Sequence, residues 1–89
     1  MKFTWDEQKR KKTLSDRGLD FADAHKVFSG PVFTFEDERF DYGETRLVSI
    51  GLLDDQVVVI VHTETAKEIR VISMRKGTAN EQKIYFDNL

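Results

Sequence analysis

The stretch "TRLVSIGLLDDQVVVIVHTETAKEIRVISMR", residues 45–75, holds three apolar runs separated by two short polar breaks. Residues 45–53 read as a strand, Asp54-Asp55 as a tight turn, 56–63 as a second strand, 64–67 as another turn and 68–75 as a third strand. Links of hairpin length leave no room for a crossover, so the three strands must pair antiparallel. The middle run, "QVVVIVHT", is apolar at consecutive positions and so would be covered on both faces, which places it inside the sheet.

Working outward, "KFTW" (2–5) alternates as a short first strand. Asp6 stands where a helix N-cap belongs, with Glu7 in the first turn, and Gly18 after Arg17 fits the left-handed C′ position. Asp20 can cap a second helix whose stripe is Phe21, Ala24, Val27 and Phe28, closed by Gly30-Pro31. "VFTF" (32–35) reads as a strand, and the acidic "EDERFDYGE" (36–44) as a loop. Thr78 can cap a last helix, with Glu81 at the N3 place of a capping box and Ile84, Tyr85 and Leu89 packing it back. The expected order is βααββββα. This is an α+β fold, a mainly antiparallel sheet of about four to five strands with N-terminal helices and a C-terminal helix, and residues 1–89 make one domain.

Composition narrows the functions. The absence of cysteine removes disulfides, thiolate metal sites and cysteine nucleophiles together. The charged start "MKFTWDEQKRKK" lacks the apolar core of a secretory signal, and "VVVIV" (57–61) is too short to cross a bilayer, so a cytoplasmic protein is expected. The net charge of −2 is unevenly spread: residues 1–17 carry six basic groups against three acidic, and residues 20–44 two basic against seven acidic. An acidic chain argues against a general nucleic-acid coat but leaves room for a local basic site.

Metal chemistry finds no support. His25 and His62 lie on different elements without chelating spacing, and Asp37, Glu38 and Asp41 do not make a calcium loop. No metal and no cofactor is expected. His62, at the end of the apolar strand, reads either as a half-exposed strand-end histidine or as a general acid or base. Arg70 and Arg75 are the more informative pair. A cation inside an apolar strand must reach solvent or find an anion. Glu64, Glu68 or the 36–44 loop could supply the anion for Arg70, and ion pairing is the plainer reading on composition alone. A guanidinium also suits a phosphate and a phosphorane. A two- or four-residue turn between the last two strands would put His62 and Arg70 on opposite faces, and a three- or five-residue turn on one face. "KRKK" (9–12) is normally a solvated helix face, yet Lys9 and Lys12 could follow an RNA backbone. Trp5 reads as core, and Tyr85 as either a packing residue or a stacking and proton-transfer group.

Taken together, these pieces resemble the BrnT toxins. Trp5, Asp6, Lys9, Gly18, Phe21, Ala24, Val27 and Phe28 fit that family's opening, Gly43, Glu44, Arg46 and Gly51 its central strand, and Arg70, Ile72, Ser73, Arg75, Glu81 and Tyr85 its ending. Thr13, Arg17 and Gly77 depart from it, standing where Asn, His and Ala are common.

The resemblance implies a RelE-like fold and a ribonuclease that shuts down translation as the toxin of a bacterial type II toxin–antitoxin system. It implies a BrnA-like antitoxin partner that binds DNA, and a two-fold toxin–antitoxin heterotetramer. For metal-free cleavage the hypothesis drawn from these residues puts Arg70 and Arg75 on the scissile phosphate, Glu81 or His62 as base, and Tyr85 or His62 as acid. Lys9, Lys12, Arg46 and Lys76 would hold the RNA. The alternatives are a non-enzymatic co-repressor subunit, whose arginines bind an acidic partner, and a plain RNA-binding domain that leaves the strand intact.

Overall fold

The computed structural model describes residues 1–39 and 43–89. Its sheet has five strands: β1 (Lys2–Trp5), β2 (Phe33–Glu36), β3 (Leu47–Leu53), β4 (Gln56–Glu64) and β5 (Glu68–Lys76). Helix α1 spans Glu7–Arg17, α2 Ala24–Phe28 and α3 Ala79–Asp87. The strand order is β1-β5-β4-β3-β2. As expected, the three strands of the meander are antiparallel neighbours with β4 inside, and β2 adds antiparallel to β3. β1, by contrast, lies parallel to β5. It is joined to the rest through α1 and α2, and such a crossover suits a parallel pair. The sheet is therefore mixed.

Local signals placed the helix ends well. Asp6 accepts from the Gln8 and Lys9 amides at 2.9 and 3.1 Å. Gly18 closes α1 at φ 69°, its amide donating to Leu14. The segment after Asp20 departs from a single helix. Asp20 caps a 3-10 turn at Phe21–Asp23, which runs into the short α2. The acidic loop falls partly on residues 40–42, and Asp41 with it, outside the described residues.

The sheet is covered on both faces. Against the first pack Leu19, Phe21, Ala24 and Val27, over Val58, Ile60, Val71 and Met74, with Trp5 at the margin. Gly51 lets α2 come this close, because a Cβ there would lie 2.7 Å from the Val27 side chain. On the second face, Tyr85 of α3 packs on Val48, Ile50, Val57 and Val59. α3 covers only one end of that face, so the other end stays open.

One irregularity decides which side chains reach the open end. Val61 pairs with Ser73 but His62 pairs with Val71, so Ile72 is an extra residue on β5. Five positions apart, Arg70 and Arg75 would point to opposite faces of a regular strand. The bulge puts them on one face, opposite Thr63 and Val59. None of the described helices is long and apolar enough to cross a membrane.

Candidate active site

A groove of about 450 Å³ occupies the open end of the second face. Its floor is Val48, Val59 and Val61. Arg17, Ser73, Arg75 and Glu81 line it on the β5 side, and Phe35, Glu36, Asp37, Glu38 and Arg39 on the β2 side. A smaller groove of about 260 Å³ adjoins it, lined by Lys9, Lys12, Thr13, Asp16 and Ile72 and sharing Arg17 and Ser73 with the larger one. Lys9, Lys12, Arg17 and Arg75 thus run from one groove into the other, Lys12 paired with Asp16 at 3.0 Å and Arg75 with Glu81.

Arg75 is held by Glu81 in a bidentate pair, with Nη1 donating to Oε1 at 2.6 Å and Nη2 to Oε2 at 2.7 Å. The same carboxylate closes the capping box of α3, accepting from the Thr78 amide at 2.9 Å. The Arg75 hydrogen bonds, then the Thr78 amide, hold Glu81 down to about 2, well below the ordinary carboxylate range. Arg75 is correspondingly pushed up by Glu81, against a smaller opposing effect from burial. Arg75 therefore finds its anion on α3, whereas the sequence offered ion-pair partners for Arg70.

Arg17 is the residue that sequence reading passed over as a site. β1 ends opposite Val71, and beyond that point the Arg17 guanidinium donates to the Met74 carbonyl at 3.0 Å. That bond anchors the cation where the two grooves meet. In the sequence only its departure from the pattern the chain resembles marked it.

Several expected site residues lie elsewhere. Arg70 is exposed, sits between Thr4 and Thr63 on the same face as Arg75, and lines neither groove. It makes no ion pair among the described residues, because Glu68 accepts from the Thr4 hydroxyl at 2.6 Å and Arg70 reaches solvent instead. Arg46 precedes β3, beside Glu44 at 3.5 Å, and Lys76 ends β5 exposed; neither lines the grooves.

His62 is fully buried on the opposite face, edge-on to Phe28 with ring centroids 5.0 Å apart. Thr63, not His62, pairs with Arg70, which settles the register in favour of opposite faces. His62 Nε2 lies 2.7 Å from Ser49 Oγ, itself 2.7 Å from Thr34 Oγ1. Burial pulls the imidazole down to about 4, so it is neutral at physiological pH. The half-exposed strand-end histidine is in fact a core residue, and it cannot reach the groove as base or acid.

Tyr85 is also fully buried, and its hydroxyl donates to the Pro31 carbonyl at 2.9 Å. It packs under α3 and does not line the groove. Tyr85→Phe is expected to lower stability by about 1 kcal/mol, the net worth of one such bond, and to leave any activity unchanged. Chemical denaturation beside an activity assay measures both. A large loss of activity in folded Tyr85→Phe would return the hydroxyl to the chemistry.

Of the expected set, then, Arg75, Glu81, Lys9 and Lys12 come together, joined by Arg17 and Ser73. Among the described residues no cluster of three or more His, Asp or Glu is arranged to hold a metal ion. The fold and this lining define a small α+β protein with a groove of mixed charge on one open sheet face. The chain belongs to the BrnT family: residues 5–81 match the family model described as "Ribonuclease toxin, BrnT, of type II toxin-antitoxin system". It is similar to the crystal structure of the Brucella abortus ribonuclease toxin BrnT, at 32% identity over 88% of this chain and 97% of that one, with a TM-score of 0.64. No curated protein matches it.

Proposed function

We propose that this ribonuclease-family toxin is a metal-independent endoribonuclease that arrests translation by cutting message. The observation that carries the reading is that Arg17 and Ser73 line both grooves, with Arg75 beside them in the larger one. An RNA strand following Lys9 and Lys12 would bring a phosphate to this point. There the two guanidiniums face the charge that grows on a pentavalent phosphorane.

In the proposed reaction the 2′-oxygen attacks the adjacent phosphorus. The bond to the 5′-oxygen breaks, leaving a 2′,3′-cyclic phosphate and a 5′-hydroxyl. Glu81 takes the 2′-proton. It is a poor base while Arg75 holds it, but a phosphate that draws Arg75 away would raise its affinity for a proton. Among the described residues lining the groove there is no histidine or tyrosine, so the leaving 5′-oxygen takes its proton from water.

We further propose that a BrnA-like antitoxin covers this toxin in a two-fold heterotetramer in the bacterial cytoplasm. Induced expression of the chain alone tests the whole reading. Growth arrest with RNA cleavage that survives EDTA, and rescue by a co-expressed BrnA-like antitoxin, are expected. The Arg75–Glu81 pair, which neutralises the clamp in the free protein, favours one alternative: a co-repressor subunit without activity. Normal growth and intact RNA, from soluble folded protein, would decide for that alternative.

A further inference from the structure

The far wall of the groove carries an aromatic ring that the phosphate chemistry does not use. Phe33 and Phe35 alternate onto the same face of the edge strand β2. Phe33 is drawn into the packing beneath α3, whereas Phe35 is 42% exposed and lines the groove. An apolar ring left open on a sheet edge invites unwanted association, so edges usually carry charge instead.

Its position in the register gives it a use. Phe35 pairs with Val48, Val48 with Val61, and Val61 with Ser73, so these four residues form one row straight across the sheet. The row spans three strand spacings, about 14 Å. Ser73, at the cationic junction, marks one end; Phe35 marks the other, and two valines floor the space between. The walls differ in charge. Arg17 and the Arg75–Glu81 pair line the groove on the Ser73 side, and Glu36, Glu38 and the Asp37–Arg39 pair line it on the Phe35 side.

We propose that Phe35 is a stacking platform for one unpaired nucleobase of the RNA, so that the groove takes single strands and rejects duplex. The proposal rests on the ribonuclease reading. One backbone runs along the cations and its base crosses the apolar floor to the ring, whose stacking is tolerant of base identity. A duplex would carry its second backbone onto the Phe35 wall, where Glu36, Asp37 and Glu38 outnumber the single cation Arg39. It would also keep its bases in their own stack, away from Phe35.

Phe35→Ala is expected to raise KM for a single-stranded mixed-sequence oligoribonucleotide roughly 5- to 150-fold, the range for loss of one base–aromatic stack, with kcat little changed. Phe35→Trp should restore KM, and its fluorescence should be quenched by the single strand and not by the same sequence as a duplex. Moving one abasic position along the oligonucleotide should find a site that weakens wild type and leaves Phe35→Ala indifferent. Unchanged KM in folded Phe35→Ala, or equal quenching by duplex, overturns the platform while ribonuclease activity stands. Loss of antitoxin binding in Phe35→Ala with normal cleavage overturns it too, making the ring a protein contact. A wild-type protein that cleaves nothing refutes the ribonuclease reading instead, and the quenching titration still decides the role of Phe35.

Discussion

Arg75→Ala, folded, is expected to lose RNA cleavage by about 10²–10³-fold, the cost of removing one preorganised donor from a developing oxyanion. The loss should fall mainly on kcat, because the guanidinium matters most when charge accumulates on the phosphorane. Stability should change little. The Arg75 side chain is 43% exposed, and ion pairs at that exposure contribute at most about 1 kcal/mol. Arg17→Ala should weaken cleavage as well, through its place beside Ser73, while Arg70→Ala should not, since Arg70 lines neither groove. Equal activity of wild type and folded Arg75→Ala in a purified cleavage assay would remove the clamp.

Glu81 makes that prediction sharper, because two roles for it separate kinetically. The Gln side chain keeps an oxygen for the Thr78 amide, so Glu81→Gln preserves the helix start and removes only the charge. If the carboxylate merely occupies Arg75 in the free protein, its loss should lower KM and leave kcat intact. If it also takes the 2′-proton, KM should fall and kcat should fall further, because a neutral amide is no base. A Glu81→Gln protein with both constants unchanged would leave the pair purely structural.

The residues that could be placed from sequence are those governed by local rules. The apolar run Val57–Val61 announced an interior strand, and Asp6, Gly18 and the Thr78–Glu81 box announced helix ends, because each needs only its neighbours in the chain. What stayed hidden depended on distant pairing. The parallel docking of β1 on β5 is set by how α1 and α2 pack, not by the four residues of β1 themselves. The bulge at Ile72 is a single added residue, yet it turns Ser73 and Arg75 toward the groove and leaves Met74 in the core. Nothing in "RVISMR" marks which residue is the extra one. Arg17 lies far from Arg75 in the chain, and only the end of β1 opposite Val71 gives it a β5 carbonyl to hold. Tyr85 and His62 misled for the opposite reason. Their side chains can do chemistry anywhere, and only burial shows that here they lie outside the groove.

Stability is expected to fall as pH drops from about 6.5 toward 4, by up to about 3 kcal/mol, with His62 as the cause. Burial lowers its folded value from 6.5 to about 4, while the unfolded chain keeps the ordinary value. The unfolded state therefore binds the extra proton first. The contribution is fully present above the unfolded value and is lost as the pH falls through 6.5 to 4, with about 2 kcal/mol gone by pH 5. Glu64 Oε1, 3.5 Å from Nδ1, would partly offset the cost of charging the ring, which makes these magnitudes upper bounds. His62→Leu should flatten the acid slope. Ser49 would still share its hydrogen bond with Thr34, so the substitution strands no hydroxyl in the core. Urea denaturation of both proteins at pH 7.5 and pH 5 reads the difference directly. The same pair of proteins separates stability from catalysis: folded His62→Leu at pH 7.5 should cleave RNA like wild type. A protein that keeps its fold but loses cleavage, with no change in acid slope, would put the imidazole back into the reaction and break the assignment of the groove to Arg17, Arg75 and Glu81.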